Sequence, residues 1–235
     1  IAPQGFREYD ARWLIPQEIN LIGIQALGLS LATLIHDMGI APRIVVGHDY
    51  RSYSLSVKQA LALGLMTGGA EVLDIGLALS PVAYFAQFAL EAPCVAMVTA
   101  SHNENGWTGV KMGAARPLTF GPDEMTALKR ITLEGRAQAR SGGSYRAVEG
   151  MRETYLKDVT ANKRLSRPIK VVAACGNGTA GAFAPEALAR IGADVVPLDA
   201  ALDYTFPRYN PNPEDMKMLH ALADAVKTHR SDVGL

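Results

Sequence analysis

The residues best equipped for chemistry lie in one run, Val98-Thr99-Ala100-Ser101-His102-Asn103-Glu104-Asn105-Gly106-Trp107-Thr108-Gly109-Val110-Lys111. An apolar stretch with the pattern of a buried strand, Cys94 to Val98, stops there in small and polar residues that cannot fill a core. The break places Ser101 on a turn at a strand end. Gly106 and Gly109 allow tight folding and close approach to a ligand, and His102, Asn103 and Lys111 crowd donors around one hydroxyl. Such a setting suits a serine that accepts and passes on a charged group. Ser, His, Asn and Gly are also ordinary turn formers, and a Ser-His neighbour pair is not a triad. On local composition alone, a purely structural turn stays equally open.

The flanking segments must hold that turn in place. Residues 5 to 12 alternate apolar or aromatic with charged groups and predict a short strand ending in Arg12. Apolar spacing from Gln17 to Met38, with Gly39 after it, predicts a packing helix. The run Arg43 to Gly47 then predicts a strand feeding a polar loop and a helix, Leu55 to Thr67. A strand from Glu71 to Ile75 follows, and Ser80-Pro81 has the chemistry to start a helix over Val82 to Leu90. Val110-Lys111-Met112 reads as a hairpin partner of the strand before Ser101. Pro122 to Ile131 reads as a helix with acids at its start and bases near its end.

Residues from Gly135 turn loose and polar, which divides the chain into a domain over 1–134, a linker over 135–150 and a second domain over 151–235. The second domain predicts a helix over Met151 to Lys163 and a strand over Lys170 to Ala174. A glycine loop, a helix over Ala182 to Ile191 and a strand over Gly192 to Asp199 come next. Pro213 is placed in the first turn of a helix running to about His229, and a last strand starts at Ser231. The order repeats that of the first domain. The fold class expected is therefore α/β, as two similar layered domains with mixed, mostly parallel sheets, the second incomplete. Ligands in such folds sit at the carboxyl ends of strands, where both the Asp49 loop and Ser101 fall.

Bulk properties narrow the partners. Lys and Arg together number 23, as do Asp and Glu, and the pI is near 7.1, so no basic field exists to hold nucleic acid or an anionic membrane. A small molecule is the expected partner; the oligomeric state is not legible. The two cysteines, Cys94 and Cys175, lie in apolar runs without metal-type spacing, which suits a reducing, cytoplasmic compartment. The chain opens Ile-Ala-Pro-Gln-Gly without a basic-then-apolar leader, and the missing initiator Met implies residues absent at the start.

Gly176 to Gly181 satisfies G-x-G-x-x-G between a strand and a helix, with Asp199 where a ribose-binding acid would stand. A nucleotide-binding Rossmann-like module is thus an alternative reading.

Thr99-Ala100-Ser101-His102-Asn103 followed by Gly109-Val110-Lys111 resembles the phosphoserine loop of the α-D-phosphohexomutases, most closely the phosphomannomutase/phosphoglucomutase branch. Tyr9-Asp10-x-Arg12, Gly47-x-Asp49-x-Arg51-x-x-Ser54, Cys175-Gly176-Asn177-Gly178-x-Ala180-Gly181 and Pro211-Asn212-Pro213-Glu214-Asp215 resemble further motifs of that family. The chain departs from it at Trp13, where the family usually has glycine, at Glu104, where proline is common, and at Ala174, where aspartate is frequent. The resemblance implies interconversion of hexose 1-phosphate and hexose 6-phosphate, of mannose or glucose, through a phosphoserine and a hexose 1,6-bisphosphate. It implies Ser101 as the phosphoserine, catalytic roles for His102, Lys111 and Arg12, and substrate or phosphate binding by Tyr9 and Asn103. Asp49 and Arg51 would brace the loop. Mg²⁺ would bind through the Ser101 phosphate, its aspartate ligands lying beyond Leu235, and hexose 1,6-bisphosphate would act as activator. The resemblance covers about the first half of a family member, so this piece alone is expected to be inactive. A noncatalytic sugar-phosphate binder is the remaining alternative.

Overall fold

A computed structural model describes residues 1–235. The chain divides into two compact units, residues 1–100 with 106–151, and residues 101–105 with 152–235.

The first unit runs β1 (Ala11–Leu14), α1 (Leu21–Asp37), β2 (Arg43–His48), α2 (Ser54–Thr67), β3 (Glu71–Leu77), α3 (Ser80–Ala89), β4 (Cys94–Val98), β5 (Trp107–Gly113), α4 (Pro122–Leu133) and β6 (Ser144–Ala147). Its sheet has the order β1-β5-β4-β2-β3-β6. The β2–β3, β2–β4 and β3–β6 pairs are parallel, and β5 is antiparallel to both β1 and β4. Strand residues alternate between two buried faces, as a sheet sandwiched by helices requires. Ile44, Val46, Ala96, Val98, Val110 and Met112 join residues of α1, α2 and α4 in one continuous core, while α3 packs against β2 and β4. The Asn20 side chain accepts from the Gly23 amide and so sets the start of α1.

The second unit runs α5 (Met151–Thr160), β7 (Lys170–Ala174), α6 (Ala184–Arg190), β8 (Asp194–Leu198), α7 (Met216–His229) and β9 (Val233–Gly234). Its three strands are parallel, in the order β8-β7-β9.

Four expectations need correction. Residues 5–12 are not a strand: the Arg7 amide donates to the Asp10 carbonyl to close a turn, and β1 begins at Ala11. Phe6 meets Trp13 edge-on at 5.1 Å, and the fully buried Trp13 indole donates to the Ala2 carbonyl, so the aromatic pattern before Arg12 marks a packed turn. Residues 135–150, expected as a linker, include β6, which pairs with β3. The helix expected over 182–191 is broken at Phe183, which turns inward and is buried, leaving a 3-10 turn over Thr179–Ala182 and the short α6. Pro213 precedes α7, which starts after Asp215, whose carboxylate accepts from the Lys217 amide.

Candidate active site

Three charged side chains come together beside the end of β4. In the antiparallel β1–β5 pair, Ala11 stands opposite Val110 and Arg12 opposite Gly109. Alternation sends Ala11, Trp13, Thr108 and Val110 into the core and leaves Asp10, Arg12 and Lys111 on the opposite face. A Cβ on Gly109 would lie 2.3 Å from the Ala11 carbonyl oxygen and 3.0 Å from both Arg12 Cγ and the Thr99 carbonyl oxygen. Only glycine lets the Arg12 stem cross there.

Arg12 is held on two sides. Its Nε and Nη2 lie 2.8 and 2.7 Å from one Asp10 carboxylate oxygen, and Nη1 donates to the Ala100 carbonyl at 3.3 Å. Burial, and next the Arg12 charge, push the Lys111 ammonium below the usual lysine range, against the pull of Asp10. Two cations are thus kept close, one permanently charged and one that gives up its proton more readily than a free lysine.

The residues just before Ser101 are fixed from the β2–α2 loop. Asp49 Oδ2 accepts from the Thr99 hydroxyl at 2.9 Å, from the Ala100 amide at 3.4 Å and from Arg51 Nε at 3.2 Å, while Oδ1 accepts from the Ser54 hydroxyl at 2.5 Å. The Asp49 amide donates to the Val98 carbonyl at 3.0 Å. Asp49 and Arg51 are both buried, so this bracing has little solvent competition. Ser101 itself has φ +56°, in the left-handed region. For a residue with a side chain that conformation costs about 1 kcal/mol or more, and strain of this kind concentrates at functional turns.

Residues 101–105 belong with the second unit. There the His102 carbonyl accepts from Asn210 Nδ2 at 2.7 Å, and Asn105 Nδ2 donates to the Tyr204 carbonyl at 2.8 Å. His102 is exposed and Asn103 partly buried. Tyr9, 62% exposed, stands on the turn before β1. The structure therefore brings Arg12 and Lys111 together at the end of β4, with Ser101, His102 and Asn103 following Ala100 along the chain. Sequence reasoning gave no part to Asp10 or Thr99. Asp10 lies in the Tyr9-Asp10-x-Arg12 motif, on the turn just before β1, and nothing in that spacing alone tells that its carboxylate grips Arg12.

The glycine loop of the second unit has a different fate. A Cβ on Gly176 would lie 3.0 Å from Pro211 Cα, and one on Gly181 would lie 2.0 Å from the Ala200 carbonyl oxygen, so these glycines accommodate the protein's own chain. Asp199 accepts from Arg208 and from the Tyr209 hydroxyl. The loop runs into a 3-10 turn over Thr179–Ala182, and the α-helix begins only at Ala184. The features that a dinucleotide pyrophosphate and ribose would use are occupied.

No group of three or more His, Cys, Asp or Glu side chains could hold a metal ion, so the donor set of this chain alone does not fit a Mg²⁺ site. No helix is long and apolar enough to cross a membrane.

Comparison with known proteins adds an independent line. Residues 3–139 match the family model for the phosphoglucomutase/phosphomannomutase alpha/beta/alpha domain I, and residues 153–235 match that for domain II. The chain is 31% identical over 230 residues to a phosphomannomutase/phosphoglucomutase of Pseudomonas aeruginosa, covering 98% of this chain and 49% of that protein. It is 31% identical over 235 residues to a phosphoglucomutase of Neisseria meningitidis serogroup B, covering 100% of this chain and 51% of that protein. A crystal structure of a phosphoglucomutase/phosphomannomutase family protein from Burkholderia thailandensis superposes with a TM-score of 0.93 at 28% identity, covering 100% of this chain and 52% of that one. The chain thus spans about half the length of the curated relatives it matches.

Proposed function

We propose that this chain, which belongs to the phosphoglucomutase/phosphomannomutase family, carries the phosphoserine part of a phosphohexomutase that interconverts hexose 1- and 6-phosphates. Ser101 Oγ holds a phosphoryl group. The P–O bond to Ser101 breaks as a new P–O bond forms to the free hydroxyl of the sugar monophosphate, giving the hexose 1,6-bisphosphate. The hydroxyl proton leaves to a nearby base. After the bisphosphate reorients, Ser101 Oγ takes the other phosphoryl group and releases the isomeric monophosphate. The hexose is mannose or glucose, the sugars in the names of the relatives.

The observation that carries this reading is the built end of β4. Ala100, immediately before Ser101, has its amide on Asp49 and its carbonyl on Arg12, with Lys111 beside that arginine. Phosphoryl transfer depends on positioning and on fixed positive charge that meets the spread negative charge of the transition state. Arg12 supplies a permanent cation, and Lys111, with its lowered proton affinity, is suited to exchange a proton with the reacting hydroxyl. His102, Asn103 and the exposed Tyr9 ring serve as contacts for the phosphate or the sugar. Mg²⁺ would act as a Lewis acid on the phosphoryl oxygens, with its further ligands supplied from outside these 235 residues. Hexose 1,6-bisphosphate would prime Ser101, and the compartment would be the cytoplasm.

The test is conversion of mannose 1-phosphate and glucose 1-phosphate to the 6-phosphates by the complete gene product with Mg²⁺ and glucose 1,6-bisphosphate. Turnover of one or both, abolished by Ser101→Ala, is expected. Binding of either sugar phosphate with no conversion would show a noncatalytic binder.

A further inference from the structure

The β2–α2 loop reaches the serine segment at two points, and the second lies at its far end. The Tyr53 hydroxyl donates to the Trp107 carbonyl at 2.8 Å and accepts from the Gly106 amide at 2.9 Å. Gly106 is gripped from its other side as well, its carbonyl accepting from the Ile15 amide at 2.8 Å. Asp49, four positions earlier in the same loop, holds Thr99 and Ala100. Five residues, Ser101 to Asn105, therefore span two points fixed by a single short stretch of chain. Ser101 opens that span at φ +56°, and Gly106 closes it at φ +98°.

We propose that Tyr53 is a positioning residue for phosphoryl transfer, its hydroxyl setting the end-to-end length of the Ser101 segment so that Asp49 and Tyr53 together hold the serine in its left-handed conformation. This rests on Ser101 being the phosphoryl carrier. A span with both ends pinned samples few conformations; without the Tyr53 hydroxyl the Gly106 amide is released, and the looser far end carries Ser101 away from its reacting geometry. Misplacement of a reacting group by about 1 Å costs on the order of 10²-fold in rate. The Tyr53 hydroxyl bonds backbone groups of Gly106 and Trp107 and its ring packs on the core, so loss of the hydroxyl alone acts through the loop. Substrate contacts that lie outside the span, such as the exposed Tyr9 ring, are untouched.

Tyr53→Phe in the complete gene product tests this. Hydrogen exchange at the Gly106 amide is expected to accelerate. The kcat for sugar-phosphate conversion, and the rate at which Ser101 takes phosphate from glucose 1,6-bisphosphate, are expected to fall by about 10-fold or more, with KM within about 2-fold and the thermal midpoint nearly unchanged. Tyr53→Leu, which removes the ring too, is expected to lower the thermal midpoint as well. Unchanged kcat and phosphorylation rate in Tyr53→Phe, with faster Gly106 exchange, would overturn the positioning role while leaving the mutase reading intact. A rise in KM that accounts for the whole loss would also overturn it. A wild-type protein that takes no phosphate on Ser101 would instead overturn the mutase reading, and this role with it.

Discussion

Each unit places a polar loop between a parallel strand, β2 or β7, and the helical segment that follows it, yet the two loops are put to opposite use. In the first, the Asp49 carboxylate reaches out of its own loop to hold Thr99 and Ala100 on a neighbouring strand end. In the second, Gly176 and Gly181 fit against Pro211 and Ala200, and Asp199 is taken by Arg208 and Tyr209. The same order of elements therefore builds a support for chemistry in one case and a self-contained packing in the other. One ion pair from each unit shows a similar contrast. Lys58 and Asp74 pair at 2.5 Å with side chains only 5% and 6% exposed, whereas Arg190 bridges Glu153 and Glu186 at the surface. Buried pairs are costly to break and surface pairs contribute little. A motif's meaning thus depends on what its polar groups are bonded to, and a glycine pattern alone does not supply that.

Breaking the first loop has the larger effect. Asp49→Ala removes the carboxylate that Arg51, Ser54, Thr99 and Ala100 all use, and is expected to cost about 3–5 kcal/mol in urea denaturation of the first unit, with loss of sugar-phosphate conversion. A cost below about 1 kcal/mol with activity retained would show that Asp49 does not brace the segment before Ser101. In the second unit, Gly181→Ala puts a methyl 2.0 Å from a carbonyl oxygen. It is expected to destabilise that unit by about 2 kcal/mol, while calorimetric titration of the wild type with NAD(H) shows no binding. NAD(H) binding lost in Gly181→Ala would reverse the comparison.

The smallest effect is on pH dependence. Burial, then the Lys58 charge, hold the His48 imidazole below its usual range, overriding the pull of the Asp49 carbonyl and of the Asp74 and Asp49 carboxylates. For Asp74, burial works toward a higher value, but hydrogen bonds from Lys58, Tyr145 and the Gly76 amide hold it below the usual carboxylate range. A histidine with a depressed folded value leaves stability intact above about pH 6.5 and erodes it as pH falls toward that folded value. The Asp74 contribution is present above its unfolded value and is lost as pH falls through the folded one. Both slopes have the same sign, so the first unit weakens steadily in acid. His48→Asn is expected to flatten the urea midpoint between about pH 7 and 5.5, and an unchanged slope would assign that limb to other groups.

Much of this was legible because the strongest signals were local. The run Cys94–Val98 is wholly buried as its apolar character demands, and the polar residues after it form the turn. The position of β6 was not legible, since all four of its residues are exposed and none alternates. Its strand exists because β3 offers an edge, and because the Tyr145 hydroxyl reaches Asp74 at 2.5 Å, 71 residues away in sequence. The break at Phe183 is likewise tertiary. Its ring is drawn inward to meet Tyr155 and lie under the Arg152 guanidinium, which overrides a helix-compatible sequence. Asp10 and Thr99 act only once β1, β5 and the Asp49 loop are assembled, so their parts could not be read from spacing within one segment.

Whether Ser101 carries phosphate is tested most directly by intact mass and peptide mapping of the complete gene product after incubation with glucose 1,6-bisphosphate and Mg²⁺. One added phosphate on Ser101, absent from Ser101→Ala, is expected. Phosphate on a different residue, or none under conditions where the protein is folded, would contradict it.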